Sequence, residues 1–360
     1  MLGATVAAIL APRPPRAARQ PDACQAQVRA RTRPADRALK TVEVPMRRAV
    51  LAATLTMLIA GAGCVRVRTP LAVHETRTFA AGPDKLVRLD VGPIDLHVTV
   101  TGGTAITATL DLDARSSSRG AAQRWIANHT PVFEDSPSAL EVRLPSRHRG
   151  IFVLGYLNAR ARLDLTVPPA CRLEVRTSSG DVSVAGEALL AGAARVTTSS
   201  GDLAVEGGLR ELIARTSSGN VRITRRPLAA LEADTSSGDV TLESGAEGAT
   251  VDTSSGDIRL ERLAGDLSAT ASSGDVSASW ERIAPGANVH IRTSSGDVRL
   301  RIPVGTTLAG EIDTSSGSIR SSIDGTRGRH DHQLSFTAAG AAVAIEVRTA
   351  SGDVSVRTHR

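Results

Sequence analysis

The chain returns to one short motif, Thr-Ser-Ser-Gly-Asp-Val, from Thr177–Val182 almost to its C-terminus. The glycines that mark the copies are Gly180, Gly201, Gly219, Gly238, Gly256, Gly274, Gly296, Gly317 and Gly352. Successive gaps are 21, 18, 19, 18, 18, 22, 21 and 35 residues. Self-similarity at a period of about twenty residues belongs to solenoids, in which each repeat is a coil that buries its apolar face only by stacking on a neighbour.

Aligned on the glycine, the copies alternate. Two positions after it stand aliphatic residues such as Val182, Leu203, Val221 and Ile258, and four after it Val184, Val205, Ile223 and Leu260. Five positions before it stand Val175, Val196, Ala214 and Ile291. Period-two alternation of β-branched and aliphatic residues means short strands with one face inward. Before the glycine the inward positions are odd offsets, and after it they are even. One straight strand cannot do this, since a slip of one residue reverses every side chain. Ser-Ser-Gly therefore forms a bulge or corner, where glycine would supply positive φ. The fold class expected is all-β: a single-stacked, β-helix-like parallel solenoid of about 18–22 residues per coil.

Stacked coils place like residues about 4.8 Å apart. Thr occupies the third position before the glycine in every copy but one, where Ala271 replaces it, and reads as a hydroxyl ladder. Asp181, Asp202, Asp239, Asp257, Asp275 and Asp297 follow their glycines and form a column of like charge, with Asn220 and Ser318 as departures. Two such charges repel by about 0.9 kcal/mol in water. Turn N–H groups, or arginines such as Arg222, Arg259 and Arg299, offset this locally. The sharper alternative is a row of cation sites.

The net charge of +6 suggests nucleic-acid binding until it is located. Residues 1–45 hold eight basic and three acidic groups, Arg47 and Arg48 add two, and from Cys64 onward 33 basic groups face 34 acidic ones. The excess belongs to a leader, so no nucleic-acid partner is expected. Met46-Arg47-Arg48 followed by the mostly apolar Ala49–Ala62 reads as a signal peptide over 46–63, too short to span a bilayer. Gly61-Ala62-Gly63-Cys64 resembles the lipobox of bacterial lipoproteins, which implies acylation of Cys64 and a membrane partner through a lipid anchor. A cleaved secreted form and an uncleaved anchor are the alternatives. Residues 1–45 read as disordered or as sequence upstream of a start at Met46, and 64–74 as a linker. With Cys24 lost and Cys64 acylated, Cys171 stands alone and no disulfide framework exists.

Residues 75–170 read as an irregular β-rich cap with one short helix, ahead of the repeats at 171–358. Leu86–Val100 alternates like a coil with a different corner at Gly92-Pro93. Strands are expected at Ile106–Leu112, Leu140–Leu144, Ile151–Leu157 and Ala161–Val167, and the helix at Arg119–His129. Pro168-Pro169 closes the segment. Beyond Gly317, Gly325–Gln333 is a polar insertion, and Leu334–Val347 reads as a coil that lost its Ser-Ser-Gly corner.

Together the signal segment, the strand-rich first part, Val167-Pro168-Pro169 and the serial repeats resemble the bacterial candidate-adhesin family of β-strand-repeat proteins, a domain of unknown function. The resemblance spans about residues 75–358 and implies an envelope or extracellular β-solenoid. It supplies no catalytic residues.

Enzyme chemistry finds little footing. Polysaccharide-processing β-helices, the competing class, cluster their acids, whereas Asp here recurs at every corner. No serine sits in a Gly-x-Ser-x-Gly elbow. His330-Asp331-His332 is the sole short cluster with metal-ligand character, and reads as a solvated loop. Trp125, Tyr156 and Trp280 read as core or cap packing rather than a sugar platform, in a chain with 2% aromatics. No catalytic residue, metal or cofactor is expected. The function expected is a non-enzymatic, envelope-anchored adhesin or scaffold facing an unknown envelope protein or glycan.

Overall fold

The computed structural model describes residues 69–145, 156–328, 332–338 and 342–360. The signal segment, Cys64, residues 151–155, His330 and Asp331 lie outside the described residues.

The alternation read from the sequence becomes two strands per repeat. One precedes the Ser-Ser-Gly corner, as in Arg172–Thr177 or Ala246–Thr253, and one follows it, as in Val182–Gly186 or Ile258–Leu263. Among the described residues, all the pre-corner strands join one 14-stranded sheet and all the post-corner strands one 13-stranded sheet, and within the stack the pairing is parallel. The change of parity now has its cause. The corner carries the chain from one sheet to the facing one, so both strands must turn their apolar side toward the same interior. Val175, Val182 and Val184 are buried, as are their counterparts along the stack except the half-buried Ser321. A narrow gap between sheets suits small aliphatics. Trp280 is the largest fully buried side chain, and its indole N–H donates to the Gly265 carbonyl at 3.0 Å.

Leu86–Gly92 and Asp95–Val100 form a first coil, with a positive-φ Gly92 at its corner. They pair in parallel with Arg172–Thr177 and Val182–Gly186. On their other side Ala139–Arg143 and Leu157–Val167 add parallel strands. Ala105–Ser116 and Thr69–Ala80 then extend one sheet in antiparallel pairs. The helix runs Arg119–His129, capped by Ser118, with Ala121, Ala122 and Ile126 buried. Lys85, the body's single lysine, is buried and donates to Asp135 at 2.6 Å and to the Ala80 carbonyl at 2.7 Å.

The C-terminal end corrects the sequence reading. No cornerless coil follows Gly317. Gln333–Thr337 lies antiparallel against Leu308–Thr314 and caps the sheet edge. The chain then doubles back. Val343–Thr349 enters between Asn288–Thr293 and Leu308–Thr314, and Val354–His359 between Val298–Pro303 and Ile319–Ser321. The last coil in sequence is thus the penultimate coil in space. The return is possible because every coil offers nearly the same interface.

Candidate functional site: the corner column and the face beside it

The nine corner glycines lie in one file. A Cβ on Gly219, Gly238, Gly256 or Gly274 would sit 1.9 Å from the carbonyl oxygen of the preceding corner's glycine. Gly352 would meet Gly296, and Gly317 would meet Gly352, each below 2.0 Å. None of the nine has φ in the left-handed region, contrary to the expectation. Glycine is required because backbones of successive coils touch there, not because the turn needs positive φ.

The threonines do not bond to one another, which corrects the ladder reading. From Thr198 onward each corner Thr Oγ1 accepts the N–H of its own corner glycine, at 3.0 Å for Thr253 and Gly256 and 2.9 Å for Thr216 and Gly219, while Thr177 instead donates to the Gly92 carbonyl. Some also donate to the glycine carbonyl of the adjacent coil, as Thr314 does to Gly352 at 3.0 Å and Thr349 to Gly296 at 3.2 Å. The hydroxyl satisfies buried backbone groups that would otherwise be unpaired.

The aspartates form a continuous chain of side-chain-to-backbone bonds. Oδ1 of Asp181 accepts the N–H of Asp202 at 2.9 Å, and Asp202 the N–H of Asn220 at 2.8 Å. Asn220, Asp239, Asp257 and Asp275 each do the same for the next coil, at 2.9 Å. Asp297 serves Asp353 at 2.9 Å, and Asp353 serves Ser318 at 2.8 Å, following the spatial order rather than the sequence. Sequence reasoning missed the first rung, Asp95, which accepts the Asp181 N–H at 3.1 Å. Its signal was an aspartate just ahead of an aliphatic strand, at the corner without Ser-Ser-Gly. Of the three arginines named as partners, only Arg299 pairs with the column, donating to Asp275 and Asp297 at 2.8 Å each. Arg222 pairs with Glu243 and Arg259 with Glu261.

Burial opposes ionisation of Asp275, but the Arg299 guanidinium and the Asp297 amide outweigh it and hold the carboxyl below the ordinary aspartate range. The Ser318 amide holds Asp353 low in the same way. Burial pushes the Cys171 thiol up, which keeps it inert.

Beside the column, the outer face of the 13-stranded sheet carries a groove of about 680 Å³, lined by Asp257, Asp275, Asp297, Asp353, Arg299 and Arg320 among others. His332 belongs to the capping end, its Nδ1 2.8 Å from the Gly317 carbonyl. Trp125 stacks on His129 at 4.1 Å between ring centroids, while Tyr156 is exposed. Among the described residues no group of three or more His, Cys, Asp or Glu side chains is placed to hold a metal ion. Nor is any described helix long and apolar enough to cross a membrane.

Among curated proteins none matches the chain. Solved structures do. A candidate adhesin from Parabacteroides merdae aligns over 80% of this chain and 96% of its own, at 14% identity and a TM-score of 0.44. A candidate adhesin from Parabacteroides distasonis aligns over 79% and 96%, at 11% identity and a TM-score of 0.40. A candidate lipid-binding protein from the same organism aligns over 63% and 96%, at 16% identity and a TM-score of 0.37. The Toastrack DUF4097 family model matches residues 122–357, which takes in every Ser-Ser-Gly corner, and the chain belongs to that family.

Proposed function

We propose that the protein is a non-enzymatic β-solenoid, tethered to the cell envelope, that presents its strand faces to a partner. One observation carries the reading. The most repeated polar groups of the chain, the corner Thr and Asp side chains, bond to backbone groups of the stack itself. The repeat therefore builds a rigid, extended surface, and its carboxylates serve the framework along the column instead of gathering at one coil. The sequence of 46–63 and Cys64 supports the tether, through acylation of that cysteine. The partner is an envelope protein or glycan.

Fractionation of cells tests the tether: Cys64→Ala should move the protein from the membrane to the soluble fraction, and a variant still firmly in the membrane would end that part. Screening purified protein on cell-wall and exopolysaccharide substrates tests the rest. No turnover is expected, and cleavage of any of them would replace the reading with a polysaccharide-processing enzyme.

A further inference from the structure

The return of the C-terminal coil brings together two arginines 56 residues apart in sequence. Arg301 lies on Val298–Pro303 and Arg357 on Val354–His359, and the two are direct cross-strand partners on the outer face. Had the coils stacked in sequence order, the Gly317 coil would occupy that place and Arg357 would lie elsewhere. Like charges directly opposite on adjacent strands are unfavourable unless something lies between them.

The arginines three positions after a corner glycine are paired. Arg222, Arg259, Arg299 and Arg320, each three positions after its glycine, all reach a carboxylate: Glu243, Glu261, Asp275 with Asp297, and Asp353. Arg301 and Arg357 are both exposed, and neither makes a side-chain hydrogen bond or ion pair among the described residues. Both line the groove described above.

We infer that Arg301 and Arg357 bind the carboxylate of an acidic saccharide. Two adjacent guanidinium forks match a planar carboxylate, and the anion removes their mutual repulsion. The surroundings decide what else the ligand carries. Ser277 and Ser355 flank Arg299 in the same groove, and Asp297 and Asp353 lie four residues back along the two strands, about 13 Å away. Hydroxyls and carboxylates suit sugar hydroxyls. The aspartate row would repel a polymer with a charge on every unit of its backbone, such as a nucleic acid. An isolated carboxylate on a hydroxyl-rich body fits both halves of the groove. This inference rests on the surface-presenting function proposed above and names the class of partner.

Titration calorimetry on the full-length protein tests it, with sialyllactose, a trisaccharide carrying one carboxylate, as the acidic probe, maltotriose as the neutral one and heparin as the densely charged one. Sialyllactose should bind and maltotriose should not. Arg301→Gln with Arg357→Gln should weaken sialyllactose binding at least tenfold, while Arg222→Gln leaves it unchanged. The double variant should melt no lower than the parent, since it loses a like-charge pair, so lost binding is not lost folding. Equal binding of acidic and neutral probes, or an undiminished affinity in the double variant, would overturn the inference. Heparin binding more tightly than sialyllactose would overturn the isolated-carboxylate part. Failure on all three probes would overturn it too, yet leave the membrane tether and the absence of turnover to be judged by their own assays.

Discussion

Gly256→Ala should be among the most damaging single-methyl additions in the molecule. The added Cβ would lie 1.9 Å from the Gly238 carbonyl oxygen, which belongs to backbone and cannot rotate away. A carbon and an oxygen settle at about 3.3 Å, so the coils must part locally by about 1.4 Å. That opening breaks the Asp257 N–H bond to Asp239 (2.9 Å) and the Ser255 N–H bond to Ser236 (3.0 Å). Two bonds at about 1 kcal/mol each, with about 1–3 kcal/mol of overpacking, give a loss of about 3–5 kcal/mol. Gly248→Ala is the internal control. It lies in the same repeat, has ordinary φ, and its Cβ would meet nothing within 4 Å. Its expected effect is a gain of up to about 1 kcal/mol, through a less flexible unfolded chain. Urea unfolding followed by circular dichroism compares them. Because stacked coils couple only to neighbours, Gly256→Ala should also broaden or split the transition into its two flanking halves. Equal midpoints for the two variants would refute the close-approach argument.

Other outcomes follow from the same column. Ala271→Thr should stabilise by about 1 kcal/mol, because Gly274 alone among the later corners lacks a threonine acceptor for its N–H; a thermal melt reads it. Asp257→Asn should be near neutral, as Asn220 already fills the same role, whereas Asp257→Ala should cost about 1 kcal/mol, and added calcium should shift neither melt. Asp275 and Asp353 have carboxyls held below their ordinary range, so their contribution is complete above the unfolded-state aspartate pKa and fades as pH falls through the lower folded-state value. Acid unfolding should therefore be weaker in Asp275→Asn than in the parent, and an identical acid limb would contradict this.

What was legible in the sequence was local. The period, the two strands per coil and the corner between them can be read from Val175, Gly180 and Val182, because inward and outward alternate along the chain itself. Even the helix at Arg119–His129 was marked, by the apolar Trp125 and Ile126 within it. What was hidden lies between coils. The reason for Gly256 is a carbonyl one coil away, and the acceptor role of Thr253 is its own corner's N–H, neither visible in a one-dimensional pattern. The order of the last coils was hidden for a related reason. The Gly317 and Gly352 coils carry near-equivalent corners, Thr-Ser-Ser-Gly-Ser-Ile and Thr-Ala-Ser-Gly-Asp-Val, so either could sit on Gly296 as far as pattern goes. The antiparallel strand Gln333–Thr337 occupies the outer edge of Leu308–Thr314 and leaves the inner slot for Val343–Thr349. The Arg301–Arg357 pair was unreadable until that order was known.

Disulfide trapping tests the stacking order most directly, in a background with Cys24, Cys64 and Cys171 replaced. Residues 295 and 351 are equivalent positions on adjacent coils, where neighbouring strands stand about 4.8 Å apart, within reach of a disulfide. Residues 295 and 316 are two coils apart, about 9.6 Å, beyond that reach. Under mild oxidation Ser295→Cys with Ser351→Cys should cross-link efficiently, and Ser295→Cys with Ser316→Cys should not. The opposite pattern would mean that the coils stack in sequence order and that the C-terminal coil is not inserted.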